Sequence, residues 1–265
     1  MPAVAENVRR AADRLYSAAR SGTPCAKVDD LLSSVEEAYA AQEVNTERGL
    51  AHGRRLVGRK IGLTSPVVQE QFGVDRPDYG MLFADMAVDE GASVPAGALI
   101  QPKVEAEVAF VLGADLPHAD TTVAEVMRAV EYAVAAIEIV DSRIAEWKIS
   151  FVDTVADNAS SGLYVLGSHP VRLSDVDLVT AEMVMTRHGE QVSTGTGRAC
   201  LGSPLSAAAW LARTMAGVGR PLSAGDTILS GALGPMVAVR PGDAIEARIT
   251  GLGTVAVAFE PEKGS

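Results

Sequence analysis

Cysteine is scarce. Only Cys25 and Cys200 occur among 265 residues, and neither belongs to a CxxC pair. A disulfide framework and a thiolate zinc site are thereby excluded. Basic runs are missing too: 23 Lys and Arg stand against 34 Asp and Glu, for a net charge of −11. Nucleic-acid binding, which needs clustered positive charge, is not expected. A small anionic substrate remains open, because local fields can oppose the net charge. No stretch approaches the ~20 apolar residues that a membrane span requires. The opening MPAVAENVRRAADRL lacks a long apolar stretch after its charges, so no signal peptide is expected, and a cytoplasmic location follows. Without a secretion signal, the sequon Asn158-Ala159-Ser160 carries no weight. GxSxG, GxxxxGK[ST] and HExxH are all absent, and Gly195-Thr196-Gly197 lacks the third glycine of a dinucleotide fingerprint.

What is present describes a folded chain, with 48% hydrophobic and 22% charged residues. The first fifty or so residues have helical periodicity. Val8, Ala11, Ala12, Leu15 and Ala19 share a face that Gly22 ends. Asp29 or Asp30 is placed to cap a second helix carrying Leu32, Val35 and Tyr39. After Gly53 the chain changes to short apolar segments broken by Gly, Pro and Asp. RRLVGRKIGLTS reads as a strand running into a turn, followed by a polar passage from Gln69 to Gly80. VEAEVAFVLG reads as a strand.

Thr122 and Glu125 have capping-box spacing, ahead of a stripe of Val123, Met127, Val130 and Val134. AIEIVDSR follows as a strand. Two strands flank a His188-Gly189 turn, and Ser203-Pro204 opens a helix. GDTILSG, GDAIEARIT and GTVAVAF complete the chain as strands with tight antiparallel returns. This order is not a regular βαβ alternation. It predicts an α+β fold, with a helical N-terminal region over 1–52 and a mixed β-sheet domain over 53–265.

Glu105 and Glu107 lie two apart in a strand, on one face and ~6.5–7 Å apart along the chain. Among apolar neighbours they either share a divalent cation of the hard Mg²⁺ or Mn²⁺ type or face solvent at a sheet edge. Glu138, set between Ile137 and Ile139, is expected to be buried with a partner, either Arg143 or a shared cation. Lys60, in LVGRKIGLTS, is either a surface lysine or a partly buried acid/base group whose charged form is disfavoured. DTVADNASSG, residues 153–162, is either a supplier of hydroxyls and N–H groups to an anionic ligand or an ordinary loop. His52, His118, His169 and His188 read as surface residues.

GRKIGLTS (58–65), PDYG (77–80), QPKVEAEVAFVLG (101–113), AIEIVDSRIAEWKI (136–149) and DTVADNASSGLYVLG (153–167) run in that order. Together they resemble the 2-hydroxypentadienoate (2-oxopent-4-enoate) hydratases of aromatic meta-cleavage pathways, within the fumarylacetoacetate hydrolase superfamily. The resemblance covers nearly the whole chain, including LGSPLSAAAWLA and AGDTILSGALG. It implies a mixed β-sheet roll that forms homo-oligomers, and Mg²⁺ or Mn²⁺ held by Glu105, Glu107 and Glu138. It also implies Lys60 as the acid/base group, Asp78 of PDYG as a second acid/base or water-orienting group, and Ser161 at the substrate carboxylate. The implied substrate is a small anionic 2-oxo- or 2-hydroxy-alkenoate, with a channel to a downstream aldolase as a further partner. Sister decarboxylases acting on 4-oxalocrotonate (2-oxo-3-hexenedioate) share these motifs and form the alternative.

Overall fold

The computed structural model describes residues 4–262. Two helices come first, α1 (Glu6–Ser21) and α2 (Val35–Ala51). Val8, Ala11, Ala12 and Leu15 of α1 are buried as their spacing predicts, and Gly22 ends the helix in the left-handed conformation. Ala19 turns out to solvent and Ala18 takes the inner position. The cap of α2 is Ser34, whose hydroxyl accepts from the Glu37 N–H, and not Asp29 or Asp30. Those two aspartates pair with Lys27 and Arg14 instead, in the connection between the helices.

The strands that follow are β1 (Leu56–Gly62), β2 (Asp78–Phe83), β3 (Ala87–Val88), β4 (Ser93–Val94), β5 (Lys103–Leu112) and β6 (Val130–Val140). After them come β7 (Ser161–Leu166), β8 (Glu182–Arg187), β9 (Glu190–Thr196), β10 (Thr227–Ala232), β11 (Val237–Ala238), β12 (Ala244–Ile249) and β13 (Gly253–Phe259). Four more helices interrupt them: α3 (Pro66–Phe72), α4 (Val123–Ala129), α5 (Phe151–Ala156) and α6 (Pro204–Gly217). The passage read as merely polar from Gln69 onward thus contains the end of α3 and the start of β2.

One sheet has the order β2-β1-β10-β5-β6-β7-β3, with β11 on the end of β5; the other has the order β4-β13-β12-β8-β9. The second sheet packs against β6 through β12 and β13. The expected α+β class with a mixed, curled sheet holds. The tight antiparallel return holds for β12 and β13 but not for β10, which lies parallel to β1 and antiparallel to β5. The α6 crossover carries β10 into the middle of the sheet, so no hairpin constrains its direction.

The Thr122–Glu125 capping box forms, but its helix is short. Val126 and Ala129 are buried while Val123 and Met127 are exposed, and Val130 and Val134 belong to β6. Val130, Tyr132 and Val134 favour the extended chain, and the helix ends early. Helices α1, α2 and α5 share a second apolar cluster that includes Leu15, Ala38, Phe151 and Val155. Asp153 anchors it: its carboxylate accepts from the Val28 and Asp29 N–H groups and from Ser150. The 153–162 stretch is therefore part helix and part turn, and Asp153 serves the fold.

Candidate active site

The pleat puts Glu105 and Glu107 on the face of β5 opposite to Val104, Ala106 and Val108. Pairing with β6 sets Glu138 directly across from Glu105. One oxygen from each of Glu105, Glu107 and Glu138 lies within 4.8 Å of the others. Glu107 and Glu138 are buried, while Glu105 keeps part of its surface open. Lys60 on β1 is 3% exposed, and its Nζ stands 3.1 Å from Glu138 Oε1. Asp78 pairs across strands with Gly62, and Lys60 with Gly80, so both side chains share one face. A Cβ on Gly62 would fall 2.1 Å from Asp78 Oδ1, so only glycine leaves room there. Ser161 opens β7, with its Oγ 2.8 Å from where a Cβ on Gly80 would sit. The six residues singled out in the sequence thus lie on five strands of one curled sheet.

Several of their polar atoms are unsatisfied. Among the described residues, Glu107 Oε1, Glu138 Oε2, Asp78 Oδ1 and Ser161 Oγ are buried without a hydrogen-bond partner. Such atoms are costly unless a ligand or ion completes them. Four carboxyls crowd one ammonium in a buried site, and all four are raised above their ordinary values. Burial, reinforced by Glu138, pushes Glu105 up to about 7. Burial also raises Glu107, with Glu138 and Glu105 adding to the effect. It raises Glu138 against the opposing pull of Lys60, and lifts Asp78 to about 6. Lys60 departs from the sequence-based expectation. Burial works to discharge it, but Glu138, Asp78, Glu105 and Glu107 outweigh burial and hold it above its ordinary value.

Glu138 does not pair with Arg143, whose Nε stands 2.5 Å from Asp157 Oδ1. All four histidines are exposed, as expected. Sequence reasoning passed over Gly231, whose N–H donates to Glu107 Oε2 at 2.8 Å. Its φ is +104°, and a Cβ would meet Thr64 Oγ1 at 2.3 Å. A glycine inside the strand pattern ILSGAL was the available signal. Thr154 lies in the 153–162 stretch read as a candidate supplier of hydroxyls, and its Oγ1 stands 3.5 Å from Asp78 Oδ2. A cavity of about 650 Å³ lies between α1, α2 and the sheet. Its wall includes Asn158 and Ser161 but none of the three glutamates, nor Lys60 or Asp78, so it is a neighbour of this site rather than the site itself.

A curled mixed sheet thus gathers three glutamates that could hold a metal ion beside a buried lysine. Residues 58–260 match the model of the fumarylacetoacetate (FAA) hydrolase C-terminal family, and the chain belongs to that family. It is 62% identical over 254 residues to the TodF product hydratase of Pseudomonas putida F1, covering 95% of each chain. It is also 62% identical over 251 residues to 2-keto-4-pentenoate hydratase 1 of Dechloromonas aromatica, covering 94% of this chain and 95% of the other. Among solved structures, 4-oxalocrotonate decarboxylase from Pseudomonas putida G7, complexed with magnesium and adipate, superposes with a TM-score of 0.92 at 37% identity. That match covers 96% of this chain and 97% of the other.

Proposed function

We propose that this protein is a metal-dependent hydratase. It adds water to 2-hydroxypenta-2,4-dienoate (2-keto-4-pentenoate), or to a short alkyl homologue, and gives 4-hydroxy-2-oxopentanoate. The observation that carries this reading is the meeting of Glu105, Glu107 and Glu138 beside Lys60, with oxygens left unpartnered in the protein interior. The hydratases are 62% identical to this chain and the decarboxylase 37%, which favours hydration over loss of CO₂.

The donor set suits a hard dication: three carboxylates, buried orphan oxygens and no soft ligand. Glu105, Glu107 and Glu138 would hold Mg²⁺ or Mn²⁺. When bound, the ion acts as a Lewis acid toward the substrate's carboxylate and 2-oxygen. The protein's own groups supply the proton traffic. Ketonisation moves the 2-hydroxyl proton away and returns one to C5, giving an enone; water then adds at C4 and a proton at C3. Asp78, with an unpartnered oxygen on the shared face, is the acceptor, and Lys60 is the donor. Ser161 Oγ, buried and unpartnered, donates to the substrate carboxylate. Burial keeps bulk water from these groups and strengthens their fields.

The 4-hydroxy-2-oxo product has the connectivity of an aldol, so a downstream aldolase is the natural consumer. The same reading makes the protein a cytoplasmic homo-oligomer. No helix among the described residues is long and apolar enough to cross a membrane, and both cysteines are free. The test is incubation with each candidate substrate and Mg²⁺. Loss of diene absorbance without CO₂ supports hydration; release of CO₂ from 2-oxo-3-hexenedioate at a higher kcat/KM would replace it with decarboxylation.

A further inference from the structure

Between α5 and β7 the chain makes one turn of the wrong hand. Asn158, Ala159 and Ser160 have φ of 56°, 51° and 53°, three consecutive non-glycine residues in the left-handed region. Left-handed backbone costs each such residue about 1–2 kcal/mol, so the surroundings must hold the turn. Two side chains do so. Arg143 grips it from outside the strand pairing: it binds the Asp157 carboxylate and donates through Nη1 to Ser161 O at 2.7 Å. Asn158 grips it from the other end. Its Nδ2 donates to Met81 O at 3.0 Å, and its Oδ1 accepts from the Met81 N–H at 2.7 Å.

The Met81 contact has topological weight. β2 is an edge strand, and its outward backbone groups have no strand partner in the sheet order. Asn158's amide satisfies both polar groups of Met81 as a neighbouring strand would. It thereby links the β2 edge of the curled sheet to the start of β7, near the sheet's other edge. Lys60 and Asp78 lie on the β1–β2 side of that seam, and Glu138 and Ser161 on the β6–β7 side. Asn158 O and Ser161 Oγ both crowd Gly80, the cross-strand partner of Lys60.

We propose that Asn158 is a positioning residue that closes this seam and so sets the spacing between the proton-transfer pair, Lys60 and Asp78, and the groups across it, the cation-holding Glu138 and Ser161, which meets the substrate carboxylate. The proposal rests on the hydratase reading above. All three glutamates sit on β5 and β6, which the β5–β6 ladder holds together without Asn158. Opening the seam therefore impairs chemistry and leaves the cation site standing. A misplacement of about 1 Å can cost 10²-fold in rate.

The experiment measures kcat, KM, Mg²⁺ affinity by calorimetry, and thermal stability for three variants. Asn158→Ala should lower kcat at least ~10-fold while the Mg²⁺ dissociation constant stays within about threefold. Asn158→Asp keeps the acceptor for the Met81 N–H but not the donor to Met81 O, and should recover part of that loss. Ala159→Gly relieves backbone strain without touching the amide and should leave kcat within about twofold. A kcat within twofold of wild type in Asn158→Ala would overturn the proposal. An equal loss in Ala159→Gly, or a loss that tracks thermal stability with no recovery in Asn158→Asp, would overturn it too. Wild-type protein that binds no Mg²⁺ would instead defeat the reading of the site, and the proposal with it.

Discussion

Glu105 and Glu138 are direct partners across the antiparallel β5–β6 pair. Their Cβ atoms are thus held about 4.5–5.5 Å apart, where like charges destabilise a sheet. Without a third party the pairing opposes folding; with a dication it becomes a ligand pair. Glu107 and Lys60 extend the same logic, one adding a donor and the other a counter-charge beside Glu138.

Glu105→Gln should separate the two consequences. The amide keeps the shape and loses the charge. Mg²⁺ affinity and turnover should each fall at least ~10²-fold, by calorimetry and diene absorbance. In chelator at pH 8, where Glu105 is ionised, the same variant should be more stable than wild type by roughly 1 kcal/mol in urea, because Glu105 no longer faces Glu138 as a like charge. Undiminished turnover after exhaustive chelation would dispose of the metal role.

Lys60→Ala should lower kcat by ~10²-fold or more, the usual weight of a general acid or base. Mg²⁺ should bind at least as tightly as in wild type, because the glutamates remain and lose a competing positive charge. A twofold loss would make Lys60 a counter-charge and nothing more.

Stability should depend on pH with opposite slopes with and without metal. Asp78 is raised from 3.8 to about 6 and Glu105 from 4.5 to about 7. The folded protein therefore binds more protons than the unfolded chain between about pH 4 and 7. In chelator, stability should fall as pH rises through that window. Mg²⁺ requires the carboxylates ionised, so its added stabilisation should be full near pH 8 and vanish as pH falls toward 5. Melting temperatures from pH 5 to 8, with EDTA and with Mg²⁺, read both slopes; parallel slopes would contradict the cluster.

Gly231→Ala should destabilise the protein by about 1–3 kcal/mol in chemical denaturation, because φ is +104° and the new Cβ meets Thr64 Oγ1 at 2.3 Å. Thr64→Ala should restore part of the loss by removing the clash. Full stability in the single variant would show that the Glu107 contact at Gly231 tolerates a side chain.

Local elements were legible where a short-range rule decides them. The Thr122–Glu125 box, the Ser203 cap and the His188-Gly189 hairpin each depend on residues only a few places apart. Elements set by competition were not. The stripe from Val123 to Val134 looked helical, yet the chain leaves the helix at Ala129 because the sheet takes Val130 onward. The second helix is capped by Ser34 rather than by Asp29 or Asp30, which pair with Lys27 and Arg14.

The glutamates divide in the same way. Their residue type, their strand context and the two-residue spacing of Glu105 and Glu107 follow from the sequence alone, because side-chain alternation along a strand is a local property. That Glu138 stands opposite Glu105, that Lys60 turns to Glu138 while Arg143 turns to Asp157, and that Asn158 closes the seam are decided only by the folded chain. Strand register and the curl of a sheet arise from pairings between segments tens of residues apart, and no local pattern encodes which pairing has the lowest free energy.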